Sequence, residues 1–177
     1  MKIASPESAR LRRSGRSEQV ILFTVAHQMF AVAAESVQEI RSTDSLAGAA
    51  REMEQPLLPK VRHTFERAHR TYYIVNACTH FNLPVTRPAL VLILRQLRVA
   101  VLVDKIERMT EIHAVHALPR AFTGEERHWY RGLAYVDDHV IPVIEPSGFL
   151  TREEFQALDR ATKAAESRHE MEGAVQA

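Results

Sequence analysis

The sequence predicts an all-β protein, built as small antiparallel barrels or as a sandwich, with one α-helix at its C-terminal end. Short runs of β-branched and aromatic residues are separated by polar turns, which is typical of such folds. No long helical segments alternate with these runs, so a doubly wound parallel sheet is disfavoured. The helix is predicted from residue 151 onward, where apolar residues recur at helical spacing, namely Phe155, Leu158, Ala161 and Ala165.

Composition points to a soluble protein whose balanced charge does not favour a strongly charged partner. The chain has 177 residues and a net charge of +1, so no global field draws it to nucleic acid or to an anionic membrane. A single cysteine, Cys78, excludes a disulfide within the chain. Neither a secretory signal nor an apolar run of membrane-spanning length is present. We therefore expect a cytoplasmic protein without direct membrane insertion.

The N-terminal segment, residues 1–18, is polar and basic. It cannot contribute much to a core, and we expect a disordered arm. Contact with an anionic partner is the alternative, because four arginines lie close together: Arg10, Arg12, Arg13 and Arg16.

The first strands are predicted between residues 20 and 40. Val20–Phe23 and Phe30–Val32 indicate a hairpin with a tight turn at His27-Gln28, although the favoured Asn-Gly is missing. The segment from Val37 to Ile40 fits either a helical turn or a short strand. Residues 42–60 predict a loop with one or two helical turns at 47–53, closing before Pro56.

The second half of the chain contains the strongest hairpin. TYYIVNA (71–77) predicts a strand, and ALVLIL (89–94) and VAVLVDKI (99–106) flank a polar turn. Because both of these last runs are almost continuously apolar, they predict strands buried on both faces or at a junction between two sheets.

The chain closes with a further hairpin and a helix. Tyr130–Tyr135 and His139–Ile144 surround a turn at Asp137-Asp138. Thr151-Arg-Glu-Glu154 has the spacing of a capping box, so a helix should begin near residue 152. We expect it to fray after about residue 168 and residues 166–177 to form a flexible tail.

No arrangement of residues predicts catalysis or a metal site. The six glycines are isolated, so no phosphate loop is present, and the nine histidines lack recognised ligand spacing. Cys78 and His80 would share one face of a strand, which leaves an enzyme open as an alternative. We expect no cofactor and no catalytic residues.

Four segments, in order, resemble the CheW-like family of chemotaxis coupling proteins. VILFTVAHQMFAVAAESVQEI is similar to the opening hairpin followed by V-x-E-I, and TYYIVNACTHFNL resembles the P-V-[IV]-[DN]-L strand and the turn after it. ALVLILRQLRVAVLVDKIERM resembles the hairpin that ends in V-D-x-[VI]. YRGLAYVDDHVIPVIEPSGFLTREE is similar to the G-x-[AG] strand, the last strand and the helix. The similarity holds over about residues 19–165.

The resemblance implies two small five-stranded, Src-homology-3-like barrels packed side by side over residues 19–165. It implies a non-enzymatic adaptor that couples the tip of methyl-accepting chemoreceptors to a CheA-type histidine kinase, in chemotaxis or related signalling. One end of a barrel would pair with the kinase, and an apolar groove between the barrels would take the receptor helix. The partner-binding candidates are Val37, Glu39, Ile40, Arg67, Ile74, Val75 and Val103.

The chain departs from the family pattern at residues 63–69. His63 and His69 stand where the family has glycines, and Ala68 aligns with an arginine often tied to receptor binding. Tyr73 replaces the proline of P-V. We therefore expect a remodelled basic loop, which would favour an acidic partner if it still binds one.

The basic and aromatic residues of this region also leave a second function open, a nucleic-acid-binding small barrel. Such proteins stack bases on exposed aromatic side chains beside a basic groove. The residues concerned are Phe65, Tyr72 and Tyr73 with Arg62, Arg67 and Arg70.

Overall fold

The computed structural model describes residues 17–175, so the predicted basic arm at 1–18 lies almost entirely outside the described residues. The strands are β1 (Glu18–Val25), β2 (Gln28–Ala33), β3 (Val37–Ser42), β4 (Ala50–Glu52), β5 (Val61–Arg67), β6 (Arg70–Asn76), β7 (Leu90–Leu94), β8 (Val99–Val103), β9 (Lys105–Ile112), β10 (Tyr130–Val136) and β11 (His139–Ile144). The helices are α1 (Thr43–Leu46), α2 (Ala77–His80), α3 (Glu126–Trp129) and α4 (Arg152–Val175), with short 3₁₀ turns at Ala34–Ser36 and Pro146–Gly148.

The strands form two sheets. The terminal sheet is built from both ends of the chain in the order β10-β11-β2-β1-β9, and the central sheet has the order β3-β7-β8-β6-β5-β4. Most neighbours are antiparallel, whereas β11–β2 and β6–β8 are parallel. The predicted all-β fold with a C-terminal helix is confirmed. The two sheets have five and six strands, the sixth being the three-residue strand β4.

The central strands are buried on both faces, as the apolar runs predicted. Along β8, Val99, Val101 and Val103 face the core between the two sheets. Ala100 and Leu102 lie on the opposite face of β8 and pack in a separate core formed by the central sheet. A third cluster fills the interior of the terminal sheet, so each sheet has its own core in addition to the shared one.

The edges of each sheet are drawn together at single points. In residues 17–175 neither sheet closes through a continuous strand ladder. In the terminal sheet, His116 and Leu133 exchange two backbone hydrogen bonds of 2.7 and 2.8 Å between the chain after β9 and strand β10. In the central sheet, the Arg67 guanidinium donates to Glu39 at 2.7 Å and links β5 to the edge strand β3. Both sheets are therefore curled toward the barrels that the resemblance implied.

The predicted hairpin turns are present, with one shifted by a residue. The first turn is Ala26-His27 rather than His27-Gln28, since Val25 pairs with Gln28. Asp137-Asp138 forms the turn of the last hairpin, as predicted. Both turns have positive φ at their two central residues, the backbone pattern of a type I′ turn.

Residues 42–60 differ from the prediction of helical turns at 47–53. The helical turn α1 lies earlier, because the Ser42 hydroxyl accepts a hydrogen bond from the Ser45 amide at 3.2 Å and caps it. Residues 50–52 form strand β4, in which Ala50 pairs with Phe65. Pairing with a neighbouring strand overrides the local helical preference of alanine here.

The segment at 63–69 is not a loop, and that prediction is wrong. It belongs to strand β5 and ends in a two-residue turn, Ala68-His69, that leads directly into β6. The strand was missed because its sequence, VRHTFER, is largely polar. Pairing with β4 and β6 and burial of Val61 and Phe65 hold it in the sheet.

The predicted strand at 99–106 is two strands that belong to different sheets. The chain leaves the central sheet at Asp104, whose carboxylate accepts hydrogen bonds from the Ala26 amide at 2.7 Å and the Thr86 hydroxyl at 2.5 Å. Strand β9 then pairs with β1 in the terminal sheet. The aspartate of V-D-x-[VI] thus fixes the crossing point between the two sheets.

The C-terminal helix begins where the capping box predicted. The Thr151 hydroxyl accepts from the Glu154 amide at 3.1 Å, and the Glu154 carboxylate accepts from the Thr151 amide at 2.8 Å. Leu158 is completely buried in the core between the sheets. The helix continues to Val175, past the fraying that the sequence predicted near residue 168.

Candidate partner-binding surface

Three of the predicted site residues lie together at one edge of the central sheet. Glu39 and Ile40 are on β3, which pairs only with β7 among the described strands. Glu39 pairs with Arg67 at 2.7 Å and with Arg41 at 3.0 Å. Ile40, between Glu39 and Arg41 on the same strand, is 40% exposed and points to the opposite face. These four residues form what we call the edge surface.

A bulge in β3 helps to shape the edge surface. The register with β7 shifts between Val37 and Glu39, and bulges bend an edge strand and re-aim its side chains. Beyond the bulge every residue of β3 is at least partly exposed. The strand therefore offers unpaired backbone groups and side chains along the same edge.

The charge of the edge surface is positive. Glu39 is shared by two arginines, so one carboxylate faces two guanidinium groups. Arg70 is exposed directly across the hairpin from Arg67. An approaching anionic group would meet an excess of positive charge at this end of the sheet.

The other four predicted site residues are buried. Val37, Val75 and Val103 belong to the core between the sheets, and Ile74 lies in the core of the central sheet. Their exposed fractions are 7% for Val37, 5% for Ile74 and zero for Val75 and Val103. These side chains cannot contact a partner directly in this conformation. They support the strands that carry exposed residues.

Tyr73 has a role that sequence reasoning did not assign. Its hydroxyl donates to the Asp159 carboxylate at 2.6 Å, and Arg98 donates to both oxygens of the same carboxylate at 2.9 and 2.7 Å. Burial raises the pKa of Tyr73 to about 12, and hydrogen bonds from Arg98 hold the pKa of Asp159 below its usual value. The network fastens α4 to β6 and to the start of β8.

A tyrosine rather than a proline at position 73 also has a backbone consequence. The Tyr73 amide donates to the Arg98 carbonyl at 3.0 Å. Proline has no amide hydrogen and could not make this bond. A tyrosine here thus supplies both a backbone donor between β6 and the β7–β8 turn and a side-chain anchor for the helix.

The aromatic residues do not form a stacking face for nucleic acid. Phe65 is 2% exposed and Tyr73 is completely buried, which leaves Tyr72 as the only one of the three with partial exposure. Bases stack on exposed rings. The structure therefore offers little support for a nucleic-acid-binding function.

Cys78 and His80 do not form the pair that a strand would allow. They lie in the helical turn α2, which the Asn76 side chain caps. The Cys78 thiol is within 3.2 Å of the Thr86 hydroxyl, whereas His80 packs against aromatic rings. Burial, together with the nearby charge of Lys60, lowers the pKa of His80 to about 3, so the imidazole is neutral. Within residues 17–175 no three potential metal ligands cluster.

The family is decided by a match to the model of the CheW-like domain, which covers residues 19–154. The chain belongs to the CheW-like family. The fold of the scaffolding protein TtCheW from Thermoanaerobacter tengcongensis is similar, with a TM-score of 0.61 at 14% sequence identity, over 73% of this chain and 90% of that one. No curated protein sequence matches significantly.

The motifs singled out in the sequence lie at defined places in the fold. V-x-E-I forms the edge strand β3, V-D-x-[VI] forms the crossing between the sheets, and Gly132 of G-x-[AG] lies at the contact between β10 and the chain around His116. Most of α4, from residue 155, lies beyond the matched region, although it contributes Leu158 to the shared core. Of the described helices, none combines the length and apolar character needed to cross a membrane.

Proposed function

We propose that this CheW-like protein is a non-enzymatic adaptor that couples methyl-accepting chemoreceptors to a CheA-type histidine kinase, in chemotaxis or in a related signalling pathway. Family membership supports a scaffolding role, and the similar solved structure is itself described as a scaffolding protein. The observation that carries the proposal is the edge surface. Glu39 lies in the V-x-E-I segment and Arg67 in the segment 63–69 that departs from the family pattern, and the two meet in one partly exposed ion pair.

The edge surface suits binding of a protein partner. An edge strand can pair with a strand of another domain, and its exposed side chains then select the partner. Ile40 provides apolar contact, and the arginines provide attraction for acidic groups. Val37, at the start of β3, packs in the core shared by both sheets, so the strand that carries the edge surface is anchored to that core.

The role of Glu39 is tested by reversing its charge. Glu39→Lys places a third cation beside Arg41 and Arg67, and it should weaken binding of the kinase regulatory domain without unfolding the protein. Affinity is measured by isothermal titration calorimetry, and stability by chemical denaturation.

Glu107→Lys is the matched control. Glu107 is a partly exposed glutamate on β9 of the terminal sheet and is paired with Lys105 at 2.9 Å. This variant should bind the kinase domain as the wild type does. Equal affinities for wild type, Glu39→Lys and Glu107→Lys would remove the edge surface from the binding site.

A further inference from the structure

A buried histidine joins parts of the chain that belong to different sheets. His80 ends α2, directly after β6 of the central sheet, and is 4% exposed. Its ring lies 4.7 Å from the ring of Trp129, which leads into β10 of the terminal sheet. It also lies 5.0 Å from Phe149, which precedes α4. One imidazole thus contacts elements attached to both sheets.

The surroundings of His80 favour its neutral form. The three rings around it, Phe81, Trp129 and Phe149, offer no carboxylate. The charge that acts on the imidazole most is the cation Lys60, which adds to the effect of burial in disfavouring a second positive charge. Lys60 is itself paired with Glu154 at 2.9 Å.

The other charged groups near Trp129 do not neutralise a positive charge on His80. The cleft beside Trp129, of about 430 Å³, is lined by both acidic and basic side chains: Lys60, Glu125, Arg127, His128, Glu145 and Glu154. Glu154 is engaged with Lys60 and the Thr151 amide, and Glu145 accepts hydrogen bonds from Ser147. A proton on His80 would therefore place a positive charge in a largely buried aromatic site near the cation Lys60, which is unfavourable.

We infer that His80 is an acid-sensitive latch between the two sheets. When the imidazole is protonated it leaves the aromatic cage, and α2 separates from Trp129 and Phe149. The strand ladders of both sheets do not involve His80, so they remain paired when the latch opens. The opening exposes the aromatic junction between the sheets and loosens their relative position.

Trp129 is the single tryptophan of the chain and reports on the latch directly. The full-length protein is titrated from pH 8 to pH 3, and acrylamide quenching of tryptophan fluorescence is followed together with far-ultraviolet circular dichroism. The wild type should show a rise in quenching with a midpoint between the ordinary histidine pKa of 6.5 and the buried value of about 3. Its far-ultraviolet signal should be retained through that step.

Two variants separate the latch from general acid denaturation. His80→Phe keeps the cage apolar, and His80→Gln keeps a polar side chain that cannot titrate, so neither should show the step. Should His80→Phe fail to fold, His80→Gln decides the matter. A step at the same pH in the folded variants would overturn the inference. So would quenching in the wild type that rises only as the far-ultraviolet signal is lost.

Discussion

Two hairpin turns place alanine and histidine where the backbone favours asparagine and glycine. Ala26 and His27 have φ of 49° and 66°, and Ala68 and His69 have φ of 48° and 58°. A side chain with a Cβ atom is strained in this left-handed region. Ala26-His27 lies away from the edge surface, so its strain can be relieved without altering the proposed binding site.

The Ala26→Asn, His27→Gly double variant should raise the free energy of unfolding by about 1 kcal/mol, because Asn-Gly is the preferred pair of a type I′ turn. Urea denaturation measures the change. Gln28→Gly, in the adjoining strand, is the control and should lower stability, since glycine weakens a strand. A double variant no more stable than the wild type would show that the turn carries no strain.

Gly132 is a glycine that the fold requires for a steric reason. A Cβ atom added there would lie 2.2 Å from the His116 carbonyl oxygen. Gly132→Ala must push β10 and the segment around His116 apart at the point that closes the terminal sheet. It should lower the free energy of unfolding by about 2 kcal/mol or more. Gly48→Ala meets nothing within 4 Å and should leave stability unchanged or slightly raised. Comparable melting of both variants by differential scanning calorimetry would refute the steric account.

At the scale of single elements, the docking of α4 depends on the network around Asp159. Tyr73→Phe removes the hydroxyl that donates to the carboxylate and should reduce the free energy of unfolding by about 1.5 kcal/mol. Tyr72→Phe is the matched control, because the Tyr72 hydroxyl makes no hydrogen bond within the described part of the chain. Equal losses in both variants, measured by chemical denaturation, would contradict this role for Tyr73.

The same network gives α4 a dependence on pH. Since the pKa of Asp159 is lowered in the folded protein, its ion pair stabilises fully above the unfolded carboxyl pKa of 3.8 and is lost as the pH falls below it. Asp159→Asn should therefore be less stable than the wild type at pH 7, and the difference should shrink toward pH 3. A constant difference across this range, measured by urea denaturation, would exclude the ionised carboxylate as the anchor.

At the scale of the whole molecule, stability depends on the core between the sheets. Val101 is completely buried there, so Val101→Asp would bury an unpaired charge and should prevent folding. Ile40→Asp, at a residue 40% exposed on the edge surface, should fold and melt cooperatively. Circular dichroism melts compare the two. A cooperative melt of Val101→Asp near the wild-type temperature would contradict the assigned core.

The sequence predicted those parts of the molecule that are encoded locally. The hairpins β7–β8 and β10–β11 and the start of α4 carry apolar runs, polar turns or a capping box within a few residues. Strand β5 was missed because it is largely polar, although its partner β6 follows directly. Most of β9 was missed because it is largely polar and pairs with the distant strand β1. The ion pair between Glu39 and Arg67 joins separate strands, and no spacing in the sequence predicts that contact.

The adaptor function is tested most directly by titrating the full-length chain with the regulatory domain of the CheA-type kinase from the same host, and separately with the cytoplasmic tip of a methyl-accepting receptor. Isothermal titration calorimetry should show saturable binding of the wild type to the kinase domain and to the receptor tip. Val101→Asp provides the unfolded control. Failure of the folded wild-type protein to bind either partner, under conditions in which kinase domain and receptor tip are themselves folded, would contradict the proposal.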